Sequence, residues 1–145
     1  MNLMKFVENL KGLMIVNNLN QKSLAKCLGV SVSTVCRYLQ GNREPSFKNL
    51  VGLANLFNCS VDYLLGFNEY GCNQEFLPCP KFSVRLQELV NSKNLSGAAF
   101  CREAKIPEGN YFDWKNDKRL PEPDGLIALA KYFDCTVDCV LGREK

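Results

Sequence analysis

Eight cysteines and no histidine set the first limits on the chemistry open to this chain of 145 residues. Thiolates can ligate metals or act as nucleophiles, but without imidazole neither a Ser-His or Cys-His nucleophile pair nor a mixed Cys/His zinc site can be built. The thiols are Cys27, Cys36, Cys59, Cys72, Cys79, Cys101, Cys135 and Cys139, and no two stand as C-x-x-C, a spacing that zinc sites favour. Cys135 and Cys139 lie one helical turn apart, which leaves a four-thiolate site with Cys72 and Cys79 as an alternative. The expectation is reduced, small apolar side chains, with no metal, cofactor or small-molecule ligand. No phosphate-cradling loop or convergent carboxylate pair occurs, so no enzyme is expected.

A second set of residues carries chemistry of another kind. Val32, Ser33, Thr34 and Arg37 place branched methyls, two hydroxyls and a guanidinium close together. These groups suit recognition rather than bond breaking, and they are useful only if an element holds them outward together.

The composition can supply such elements. It is 46% apolar and 23% charged, with 18 Lys+Arg against 15 Asp+Glu and a formal net charge of +3, which fits a globular protein and excludes a disordered one. The weak positive balance argues against a nonspecific nucleic-acid coat. No apolar run approaches the roughly 18 residues of a membrane span, and Met1 to Leu10, with Lys5 and Glu8 in a helical pattern, does not read as a secretory signal. The expected location is the cytoplasm, with no membrane partner.

Residues 6–66 slide onto 82–142 at a constant offset of 76 without a gap, with identity at 16 of 61 positions. The shared residues, among them Phe6/Phe82, Leu50/Leu126, Phe57/Phe133 and Gly66/Gly142, are mostly apolar at helical spacings, so the repeat preserves packing while the surface has diverged. Asn68 to Pro80, with Gly71, Pro78 and Pro80, reads as a linker. The expected organisation is a domain over 1–67, a linker over 68–80 and a divergent copy over 81–145. A copy of about 65 residues is marginal alone, so the copies are expected to pack together or to pair with a second chain.

Within the first copy the spacing of Leu3, Val7, Leu10 and Met14 predicts a helix ending near Asn17. A short helix from Gln21 to Leu28 follows, with Leu24 and Ala25 inward. Gly29 can then turn the chain sharply, and Ser31 can cap a third helix from Val32 to Gln40. Ser46 and Ser60 can cap two more helices, and no alternating strand is evident. The fold class is therefore all-α, with five helices in each copy.

The stretch Q-K-S-L-A-K-C-L-G-V-S-V-S-T-V-C-R-Y-L-Q-G-N-R-E-P-S, residues 21–46, resembles the helix-turn-helix of Cro and lambda-repressor-type (XRE-like) regulators. L-x-x-L-A-x-x-F-x-C-S-V-D-Y-L-L-G, from Leu50 to Gly66, is similar to that family's usual ending. The second copy resembles it more loosely, through Trp114, Pro121 and the segment from Leu126 to Gly142. The resemblance implies two tandem helix-turn-helix domains and a regulator, foremost a repressor, that binds double-stranded DNA. It also implies that Gln21 meets a phosphate.

Physical reasoning agrees, because a helix held out by a short turn can enter the roughly 12 Å major groove with its first residues at the base edges. Val32 and the Thr34 methyl can meet a thymine methyl, Ser33 and Thr34 can donate or accept, and Arg37 can reach guanine or phosphate. Asn42, Arg43, Lys48 and Asn49 surround the next helix start, where side chains and free N–H groups can grip the backbone.

The second copy departs from this pattern. Gly29 is replaced by Lys105 and Ser31 by Pro107, while Val32, Ser33, Thr34 and Arg37 give way to Glu108, Gly109, Asn110 and Asp113. Residues 31–40 carry Arg37 alone, net +1, whereas 107–116 carry Glu108, Asp113 and Lys115, net −1. Asn110 can still pair with adenine and Glu108 with cytosine, while Lys115, Lys118 and Arg119 can hold phosphates. This copy is either a second reader or a packing or dimerisation module. The chain then acts as an intramolecular pseudo-dimer or as a homodimer. A left-handed Lys105 costs about 1–2 kcal/mol, so a turn of different shape is expected there. The rival overall reading is a protein-interaction module of antitoxin or regulator-inhibitor type.

Overall fold

A computed structural model describes residues 1–69 and 75–144, and among them there are ten α-helices and no strand. The chain divides into two units, Met1–Gln74 and Glu75–Lys145. None of the described helices is long and apolar enough to cross a membrane.

The N-terminal unit contains α1 (Leu3–Val16), α2 (Gln21–Leu28), α3 (Val32–Leu39), α4 (Phe47–Phe57) and α5 (Val61–Leu65). Each starts behind a polar residue whose side chain accepts from a backbone N–H of the first turn: Asn2, Asn20, Ser31, Ser46 and Ser60. These caps satisfy donors that a helix cannot satisfy for itself. Helix α1 packs on α3 and α5, and α2 packs on α3 and α4. Phe6, Leu10, Leu24, Val35, Tyr38, Leu50, Leu53 and Leu64 close the core with no exposed surface. At its centre Phe6 and Tyr38 meet edge to face, with ring centroids 6.1 Å apart.

The C-terminal unit contains α6 (Phe82–Ser92), α7 (Gly97–Ala104), α8 (Glu108–Lys115), α9 (Pro123–Phe133) and α10 (Val137–Leu141). Its last four helices match α2 to α5 in length and boundaries at the same offset of 76. The backbone follows the offset too. Among the described residues, the ten with positive φ fall into five pairs: Asn18/Asn94, Gly29/Lys105, Gly41/Asp117, Asn58/Asp134 and Gly66/Gly142. Phe82 and Trp114 take the places of Phe6 and Tyr38, again edge to face at 6.2 Å.

The turn at Lys105 differs from expectation. Lys105 adopts φ 57 and ψ 41, the same left-handed conformation as Gly29 at φ 74 and ψ 31. The backbone path is therefore kept and the steric cost accepted. Lys105→Gly is expected to raise the stability of this unit by about 0.5–1 kcal/mol, the relief of that cost less the greater chain entropy of glycine. Denaturant unfolding monitored by the sole tryptophan, Trp114, measures this directly.

Part of the stretch read as linker is attached to the C-terminal unit. The Leu77 N–H donates to the Arg143 carbonyl at 2.7 Å, and the Phe76 ring lies 4.4 Å from the Arg143 guanidinium. Arg143 and Asp138 form an ion pair at 2.6 Å, and both side chains are buried. Residues 70–74 of the expected linker, including Cys72 of the four-thiolate alternative, lie outside the described residues.

Candidate nucleic-acid interface

The turn between α2 and α3 fixes how α3 is presented. Gly29 ends α2 in the left-handed region and its N–H bonds back to the Lys26 carbonyl at 3.3 Å, while the Val30 N–H reaches Ala25 at 3.0 Å. Two residues later the Ser31 hydroxyl accepts from the Thr34 N–H at 3.2 Å and starts α3. Leu24 and Ala25 of α2 and Val35 and Tyr38 of α3 are buried, locking the two helices together. The opposite side of α3 is left outward.

That side carries the residues singled out from the sequence. Val32 is 46% exposed, with its branched methyls open to a partner. Ser33 and Arg37 are exposed beside it, and among the described residues no carboxylate pairs with Arg37. Thr34 is half-buried, and its hydroxyl shares a 2.9 Å hydrogen bond with that of Ser31. Gln21 is exposed at the start of α2. Val35 is fully buried, as a core residue should be, and Leu39 is partly covered.

The residues near the start of α4 separate into two groups. Arg43 and Lys48 are exposed cations without an ion pair among the described residues, and Asn42 is exposed with its amide donating to Gln40 at 3.2 Å. Asn49 is turned inward instead: its amide donates to the Tyr38 hydroxyl at 2.8 Å. A tyrosine buried at the centre of a small core needs a partner for its hydroxyl, and Asn49 supplies it. Asn49 thus ties α4 to α3. The sequence held a signal for this, a tyrosine at an inward helical position, but not the identity of its partner.

The corresponding surface of the C-terminal unit is occupied by its own side chains. Arg119 binds Asp113 at 3.1 Å through Nε and donates to the Asn110 Oδ1 at 2.8 Å. Asn110, a candidate base-reading group, and the acidic Asp113 are thereby both engaged with Arg119, a candidate phosphate-binding group. Pro107 gives α8 no side-chain cap. At Gly97, the equivalent of Gln21, a Cβ would sit 2.6 Å from the Tyr111 ring, so no side chain fits there. Glu108, Lys115 and Lys118 are exposed.

The cysteines are protonated where their environment is resolved. Burial pushes the Cys135 thiol up to about 12, reinforced by the neighbouring Cys139 sulfur and the Glu144 charge. Burial also raises Cys79 and Cys101. Thiols held in this state are poor nucleophiles at neutral pH. Among the described residues no group of three or more Cys, Asp or Glu could hold a metal ion.

Comparison with known proteins agrees with this geometry for the N-terminal unit. Residues 15–64 match the helix-turn-helix family model. The chain is similar to the uncharacterized HTH-type transcriptional regulator YqaE of Bacillus subtilis (strain 168), with 38% identity over 60 residues, 41% of this chain and 52% of that protein. It is also similar to the HTH-type transcriptional regulator ImmR of the same organism, with 33% identity over 76 residues, 52% of this chain and 60% of that protein. The chain thus spans 52% and 60% of the length of these two relatives. No solved structure matches. The helix order, the left-handed turn at Gly29, the capped α3 and the family match coincide on one segment: residues 15–64 match the helix-turn-helix family and carry a helix, a tight turn and a second helix at Gln21–Leu39.

Proposed function

We propose that the protein is a sequence-specific, double-stranded DNA-binding transcriptional regulator that acts in the cytoplasm as a repressor by occlusion. The observation that carries this reading is the outer face of α3, whose Val32 and Ser33 in the first turn and Arg37 one turn further on stand outward, with no ion pair to Arg37 among the described residues. In the bound state α3 lies in the major groove. Val32 meets a thymine methyl, Ser33 and Thr34 meet base edges, and Arg37 meets guanine or phosphate. Gln21, Asn42, Arg43 and Lys48 hold the phosphates on either side. Asn49 acts from behind, keeping α4 in register with α3.

The C-terminal unit, in this proposal, is a divergent copy of the same five-helix domain. The Asp113–Arg119–Asn110 network favours a supporting role for it over a second reading role, since reading would require breaking contacts already made. The rival protein-interaction reading draws on the same acidic surface.

Selection of bound duplexes from a random pool, followed by titration of the selected site, tests the proposal. Arg37→Ala is expected to weaken specific binding by about 1–3 kcal/mol, roughly 5- to 150-fold, with the fold unchanged. The affinity of the wild type is expected to fall with salt by a log-log slope of about −0.9 for each neutralised phosphate. A pool that yields no enriched duplex favours the interaction module instead.

A further inference from the structure

The outer face of α1 carries a pattern that neither the core nor the DNA-reading surface uses. Met4 is 73% exposed and Ile15 is 77% exposed, and Val16 beside it is 79% exposed. Between them Glu8 and Lys11 are exposed, and neither has an ion-pair partner among the described residues. At 100° per residue, Met4, Glu8, Lys11 and Ile15 fall within an arc of roughly 60°, a single stripe along the helix. Gly12 lies at its edge, with nothing within 4 Å of the point where its Cβ would stand, so a neighbouring backbone can approach closely.

The order of the stripe is self-complementary. If two α1 helices lie antiparallel about a two-fold axis between positions 9 and 10, Met4 faces the second copy's Ile15 and Glu8 faces the second copy's Lys11. Both contacts occur twice. We infer that α1 is the contact surface for a second copy of this chain, forming a two-fold dimer in which Glu8 and Lys11 pair across the axis and Met4 covers Ile15.

A cleft of about 400 Å³ adjoins the stripe, lined by Leu3, Met4, Val7 and Glu8 of α1 and by Leu39 at the far end of α3. It lies opposite the C-terminal half of the second copy's α1, and Ile15 is the side chain brought to it. The cleft reaches α3 only at its far end, Leu39, and does not include its first turn. The inference does not depend on the proposed function. In the C-terminal unit the equivalent positions are Pro80, Val84, Gln87 and Asn91, so the charge pattern is not a requirement of the fold. A single antiparallel pair of helices this short buries less than the roughly 1,200 Å² of a stable interface, so the dimer is weak and forms on the order of micromolar concentration.

Charge reversal tests this in the full-length chain by sedimentation equilibrium. Glu8→Lys puts lysine against lysine at both contacts, and Lys11→Glu puts glutamate against glutamate; each alone is expected to weaken association about tenfold. The double variant Glu8→Lys/Lys11→Glu restores it, and so does an equimolar mixture of the two single variants, which can pair only as heterodimers. Both substituted positions are solvent-facing, so circular dichroism should be unchanged. A wild type that stays monomeric up to millimolar concentration would overturn the inference. So would an association indifferent to either reversal, or one that the mixture fails to restore.

Discussion

Replacing Val32 by Glu and Arg37 by Asp is expected to abolish specific DNA binding while leaving the fold intact. These two changes give α3 the carboxylates that α8 carries at the equivalent positions, Glu108 and Asp113. Loss of the arginine contact alone accounts for about 1–3 kcal/mol, and two negative charges facing phosphates add repulsion that water screens only in part. The expected loss is at least about a hundredfold. The fold should tolerate the change because both positions are exposed. A glutamate in the first turn of α3 also interacts favourably with the helix dipole, offsetting the loss of Arg37 from the last turn, each worth about 0.3–1 kcal/mol. Fluorescence anisotropy with a selected duplex, alongside thermal unfolding, separates the effects. Retained affinity would mean that α3 is not the reading element.

A comparably large effect is expected on stability when Arg143 is replaced by Ala. The Asp138–Arg143 pair is the buried charge contact of the C-terminal unit, 2.6 Å long and sheltered by Phe76. Removing the guanidinium takes the opposite charge away from a buried carboxylate, which costs about 3–5 kcal/mol. For a unit of about 70 residues, with total stability of the order of 0.05–0.15 kcal/mol per residue, that is a large part of the whole. Replacing both partners by apolar residues, Asp138→Leu with Arg143→Met, should cost far less, because no charge is left stranded. Trp114 is buried in the same unit, so its fluorescence in a denaturant titration reports this transition specifically. A shift of under 1 kcal/mol for Arg143→Ala would show that water reaches Asp138.

The all-helical fold was legible because its signals are local. Caps at Ser31, Ser46 and Ser60 and the glycines at 29 and 66 mark helix ends by short-range chemistry, and apolar spacing marks the inward faces. The outward position of Val32 and Arg37 followed from the same periodicity. What escaped were contacts between residues whose pairing depends on the assembled core. Asn49 read as a phosphate-binding side chain because its position suits one, but the Tyr38 hydroxyl claims it. Asp113 read as part of an acidic face and Asn110 as a side chain free to pair with adenine, because nothing local announces that Arg119 folds back over both. Lys105 read as a signal for a different turn because the intrinsic cost of a left-handed lysine is visible in the sequence. The packing of α7, α8 and α9 that holds the turn in place is not. Phe76 and Leu77 read as linker because their partner, Arg143, stands at the far end of the unit.

The central claim is that the first turn of α3 in the N-terminal unit is the surface that meets DNA. Amide chemical-shift mapping of the full chain during titration with a selected duplex tests it residue by residue. The account predicts the largest shifts at residues 31–37, smaller ones at Gln21 and around Asn42, Arg43 and Lys48, and none comparable at 108–113. Saturating binding with residues 31–37 unshifted and the perturbation centred elsewhere would contradict it.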